Sequence, residues 1–128
     1  MRLYLPPFRK VATIAVSTRQ SFVSRLIQER FFVEAFRVVY KPNTQNLLQV
    51  APWIVDAESI ANDERPSGIN LVAGWGGTDY LVGNGLEGEM IIPIGRWFEP
   101  GRVCIEAYNA DPTNTHTLNA HFDLVRGE

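Results

Sequence analysis

The run RVCIEAYNADPTNTHTLNAHFDLV, residues 102–125, decides the fold class. Val103, Ile105 and Ala107 alternate with Arg102, Cys104, Glu106 and Tyr108. Leu118, Ala120, Phe122 and Leu124 alternate with Thr117, Asn119, His121 and Asp123. A period of two predicts strands with one face in the core and the other in water. Between them, NADPTNT (109–115) carries the Asp, Pro and Asn of a turn. The expectation is an antiparallel hairpin with a long loop.

Further strands follow upstream. RWFEPGR (96–102) turns at Pro100-Gly101, and EMIIPIG (89–95) reads as a strand that Pro93 confines to an edge or a bulge. INLVAGW (69–75) reads as a strand, and NLLQVAPWIVD (46–56) as an extended run, with Pro52 again marking an edge or a kink. DAESIANDERPSG (56–68) is an exposed loop, and FRKVATIAV (8–16) is another strand. Between Ser17 and Tyr40, Val23, Ile27, Phe31, Ala35 and Val39 are spaced by four, which fits an amphipathic helix. The Phe, Val, Ile and Tyr content favours strands, and two are preferred, Phe22–Gln28 and Phe32–Tyr40. The sum is about eight short strands without βαβ alternation, an all-β antiparallel sandwich or barrel in one domain.

GNGLEG (83–88) spells the dinucleotide fingerprint G-x-G-x-x-G. That motif needs a helix after it, whose N-terminus holds the pyrophosphate. Here Met90-Ile91-Ile92-Pro93 follows, which is strand chemistry ended by a helix breaker. The glycines are read as a turn, with Asn84-Gly85 joining Tyr80–Val82 to Met90–Ile92 in a hairpin.

The balance of 12 basic and 14 acidic residues gives a net charge of −2 and does not advertise nucleic-acid binding. The basic residues do gather in the first third, from Arg9 to Lys41. No apolar run approaches the ~20 residues of a membrane helix, and the prolines of MRLYLPPFRK interrupt any signal-peptide core. Cys104 is the single cysteine, so no disulfide within the chain is expected, and it lies inside a strand. With one cysteine and two histidines, a structural zinc site is not expected. His116 and His121 point to opposite faces of their strand. The serines lack a glycine elbow, and the acids Asp56, Glu58, Asp63 and Glu64 lie in a polar loop without EF-hand spacing. No catalytic residue, metal or cofactor is therefore expected. The aromatics are the better lead. Phe31–Tyr40 is apolar on both faces, so one face meets the core and the other calls for a cover such as a second subunit. Trp75 and Trp97-Phe98 lie at a glycine-rich loop and a strand end, where exposed aromatics mark binding surfaces.

The ending WFEPGRVCIEAYNADPTNTHTLNAHFDLVRG (97–127) resembles the close of small jelly-roll structural proteins of tailed bacteriophages, and PPFRKVATIAV (6–16) is similar in style to their entry strand. These are the auxiliary capsid proteins, called cement or decoration proteins, and related virion accessory proteins. The resemblance covers roughly the last third well. It implies a jelly-roll β-sandwich without an active site, bound to the capsid exterior as a homodimer or homotrimer. Its partner would be the major capsid protein, whose neighbouring subunits it staples together, with no direct contact to nucleic acid or membrane. Phe31, Phe36, Arg37, Trp75, Trp97 and Phe98 are the expected partner-binding residues. Two other functions compete. In a carbohydrate-binding sandwich, Trp75 or Trp97 would stack on a sugar beside Asp79, Tyr80 and Asn84. A cupin-like metal enzyme would need several inward histidines.

Overall fold

A computed structural model describes residues 3–74, 77–86 and 88–126. The described residues form β-strands and no helix: β1 (Leu3–Tyr4), β2 (Phe8–Ile14), β3 (Arg19–Val23), β4 (Phe31–Val39), β5 (Leu48–Val55), β6 (Gly68–Asn70), β7 (Glu89–Phe98), β8 (Arg102–Asn109) and β9 (His116–Arg126). The front sheet runs β1-β9-β4-β7, with β2 beside β1 along the same edge of β9. The back sheet runs β3-β8-β5-β6. All pairings are antiparallel. From β2 onward the chain changes sheet at every connection except β5–β6, which is the jelly-roll path.

That path corrects two hairpins. β8 and β9 do not pair: β8 lies between β3 and β5, and β9 lies between β2 and β4. Tyr80–Val82 does not pair with Met90–Ile92 either. Leu81 forms an isolated bridge to Val50 in the back sheet, while Met90–Ile92 pairs with β4 in the front sheet. In both cases consecutive strands have apolar faces on opposite walls of one core, so they pack face to face instead of side by side. INLVAGW is corrected too, because only Gly68–Asn70 joins the sheet and Leu71–Gly74 turns away.

The strand reading of Ser17–Tyr40 holds, with shifted bounds. Pro93 lies on the outermost strand of the front sheet, beside a register shift at Glu34 and a positive φ of 64° at Gly95. Pro52 sits inside the back sheet. Its carbonyl accepts the Leu71 amide beyond the end of β6, so its missing N–H faces the flank where that short strand stops.

The core is filled from both sheets. Phe36 and Phe122 cross at 5.0 Å, Phe31 and Phe98 at 5.8 Å, and Ile14, Leu118, Leu48 and Ile105 are fully buried around them. Each such side chain contributes about 1.5–3 kcal/mol of burial. The β8–β9 crossing is tied down by side chains. Asn109 donates to the carbonyls of Ile14 and Asn114, and Asp111 accepts the amides of Thr113 and Asn114 and meets His116 Nε2 at 2.9 Å. This network gives His116 and Asp111 a structural role.

Candidate functional site

β4 has aromatic residues on both faces, and the register sorts them. Phe31 and Phe36 are an odd number apart, so a regular strand would send them to opposite faces. The register shift between Val33 and Ala35 reverses the phase, and both turn inward to 0% exposure. Phe98, opposite Phe31, is buried with them, under the guanidinium of Arg96. Phe31, Phe36 and Phe98 are therefore core residues, which corrects their placing on a contact surface. Trp75 lies outside the described residues.

Trp97 and Arg37 do lie on the outer face of the front sheet. Trp97 sits opposite Phe32, Phe32 opposite Val125, and Val125 opposite Tyr4. Paired residues share a face, so these side chains make one outward row across β7, β4, β9 and β1. The rings of Phe32 and Trp97 meet at 5.3 Å, tilted by 57°. Arg30 lies over the indole at 5.0 Å and reaches Glu99 at 3.7 Å. Val125 is buried beneath the row, Phe32 and Trp97 are half-buried, and Tyr4 is 73% exposed.

The same face becomes charged farther along. Arg37 Nε donates to Asp123 at 2.6 Å, and its Nη1 donates to Glu89 at 3.0 Å. These two carboxylates raise the pKa of Arg37 further, the hydrogen bond to Asp123 most. His121 Nε2 lies 3.5 Å from Asp123, and Arg9 donates to Asn119. Arg37 on β4 is thus tied to the strands on either side of it, β9 and β7. The missed contributors are Tyr4 and Phe32. Phe31–Tyr40 is apolar on both faces in sequence, so which of Phe31 and Phe32 faces out depends on strand partners.

The residues named for the competing chemistries are spread over the molecule, with Trp75 outside the described residues. The interior that a cupin-like enzyme would need is packed with Phe36, Phe122, Leu118 and Ile105. Among the described residues, no group of three or more His, Cys, Asp or Glu side chains is placed to hold a metal ion. Asp79 and Tyr80 line a small notch with Arg65, Glu106 and Tyr108 on the back sheet. Trp97 is on the other sheet, and Asn84 Oδ1 caps the Leu86 amide in a separate loop.

The glycines of GNGLEG also find their use. A side chain at Gly83 would strike the Tyr40 ring, whose hydroxyl donates to the Leu81 carbonyl at 2.7 Å. Gly85, at φ 86°, lies directly on the Lys41–Pro42 peptide, and Gly88, at φ 74°, leads into β7. Gly83 and Gly85 seat the loop on the β4–β5 connection.

The notch corrects another reading. Cys104 and Glu106 were expected to face water, and both are buried: Cys104 lies between Val23 and Trp53, and Arg65, Asp79 and Tyr80 from the β5–β6 and β6–β7 connections line the notch at Glu106. Glu106 accepts the Trp53 indole N–H at 3.0 Å and lies 2.9 Å from Arg19 Nε and 3.8 Å from Arg65 Nε. Burial first, and then the charge of Glu106, push the Cys104 thiol up to about 12.

No protein family, curated protein or solved structure matches this chain.

Proposed function

We propose that this protein is a non-enzymatic virion structural protein that binds the outer surface of a capsid and ties neighbouring major capsid subunits together. The observation that carries the reading is the outward row of Tyr4, Phe32 and Trp97 under Arg30, on a sheet face whose other side chains include the Arg37 ion pairs and the exposed Val11 and Ile91. Aromatic and arginine side chains on a preformed flat face are the usual anchors of protein interfaces. The jelly-roll path and the likeness of residues 97–127 to cement proteins support the same reading. Modest contacts repeated over a symmetric lattice give strong retention, and a homodimer or homotrimer multiplies them again.

Particles assembled with and without the chain provide the test. The chain should appear in purified particles by mass spectrometry, and particles lacking it should break at lower temperature. Added protein should co-sediment with deficient particles, and Trp97→Ala should weaken this by roughly 30-fold, the scale of losing one anchor. A chain that is absent from particles and ignores deficient ones would sink the proposal.

A further inference from the structure

A second surface lies at one end of the sandwich. Between the β1–β2 connection and the β3–β4 connection runs an open groove of about 930 Å³. Leu5, Phe8, Val23, Ile27 and Leu124 give it an apolar lining, and Leu26 stands at its lip, 49% exposed. Pro6-Pro7 stiffens one wall and offers no amide. On the other wall, the amides of Ser24 and Ile27 are bonded to the carbonyls of Val103 and Gly101. The amides of Arg25, Leu26, Gln28 and Glu29 have no acceptor among the described residues. This wall therefore has backbone donors not used within the sandwich.

Charge selects the partner. Arg126 is paired to Glu29 at 3.2 Å, which leaves the exposed Arg25 as the cation of the groove without an ion pair among the described residues. We propose that this groove binds an extended acidic peptide segment of a partner protein. Its backbone would lie along residues 24–29, its apolar side chains would enter the groove, and a carboxylate would meet Arg25. Alternating side chains and main-chain bonds are the physics of strand-like peptide capture. The groove adjoins the aromatic row at Leu5, Glu29 and Arg126 but shares no residue with it, and peptide binding is read without particles.

The test is fluorescence anisotropy with the whole chain and a labelled peptide, Asp-Leu-Glu-Val-Asp-Leu-Glu. The expected result is saturable binding that weakens with salt, about tenfold weaker for Arg25→Glu and lost for Leu26→Asp. Both positions are exposed, so melting temperature should not move. Val11→Asp, at an exposed site on the front sheet, should bind as the parent does. Absence of saturable binding overturns the proposal, as does equal binding of a lysine-for-acid peptide or unchanged binding by Arg25→Glu. A groove that takes decanoate but not the peptide overturns it in favour of a small apolar ligand.

Discussion

Removing the Glu106 carboxylate should be among the most damaging single changes to this fold outside the apolar core. Glu106→Ala leaves the Trp53 indole N–H, in a residue only 8% exposed, without its acceptor. An unpaired buried donor costs about 1–3 kcal/mol. The same change strands the Arg19 guanidinium, 2.9 Å away on a side chain 22% exposed. Breaking a fully buried pair costs about 3–5 kcal/mol, and partial solvation of Arg19 reduces that. Arg65 is more than half exposed and adds little. The expected total is about 3–4 kcal/mol, a large share of the roughly 5–15 kcal/mol that holds a typical domain together. Glu106→Gln keeps an acceptor for the indole and loses only the charge, so it should cost about half as much. The assay is urea unfolding followed by tryptophan fluorescence at constant m-value, for which Trp53 is a local reporter. Removing Arg19 first, as Arg19→Met, should shrink the cost of Glu106→Ala, because the stranded cation is gone. A loss below about 1 kcal/mol for Glu106→Ala would refute the reasoning, as would equal costs for Ala and Gln.

Other outcomes follow from the same contacts. Gly85→Ala meets both a φ of 86° and the Lys41–Pro42 peptide, and should cost roughly 2–4 kcal/mol in urea unfolding. Gly88→Ala meets open space at φ 74° and should cost about 1–2 kcal/mol. The Thr113 amide lowers the Asp111 carboxyl most; burial, the next largest effect, opposes it, and His116 and Asn114 add to the lowering, which leaves it at about 2. A folded pKa below the unfolded one stabilises the protein above roughly pH 4, and that stability is lost as pH falls towards about 2. Asp111→Asn should flatten this acid limb in urea titrations between those pH values. Cys104, its thiol held at about 12, should resist Ellman's reagent at pH 8 and react only at the rate of unfolding. Phe36→Ala should cost about 3–5 kcal/mol and Phe32→Ala clearly less, since the first empties the core and the second trims an outer face.

Much of the local structure was legible from residue order. Alternation in residues 102–109 and 116–125 placed β8 and β9, and strand-forming composition outweighed the four-residue spacing before Tyr40. Pro93 announced an edge strand, and the proline after GNGLEG excluded a nucleotide helix. These features depend on a residue and its near neighbours, through steric limits on φ, missing N–H groups and the pleat.

Partners and cover were decided only in three dimensions. A period of two states which side chains share a face, but it does not say which strand lies alongside. The NADPTNT loop therefore reads equally well as a hairpin turn and as the crossing between sheets that it is. The extra residue at Glu34 moved Phe36 from the expected contact surface into the core, because register shifts arise from the pairing of strands far apart in sequence. Glu106 looks like a water-facing residue within its own strand. It is buried because Arg19, Trp53, Arg65 and Tyr80, all distant along the chain, converge on it. The outward row of Tyr4, Phe32 and Trp97 has the same origin: β1, β4 and β7 are distant in sequence, and only pairing through β9 brings them into one sheet.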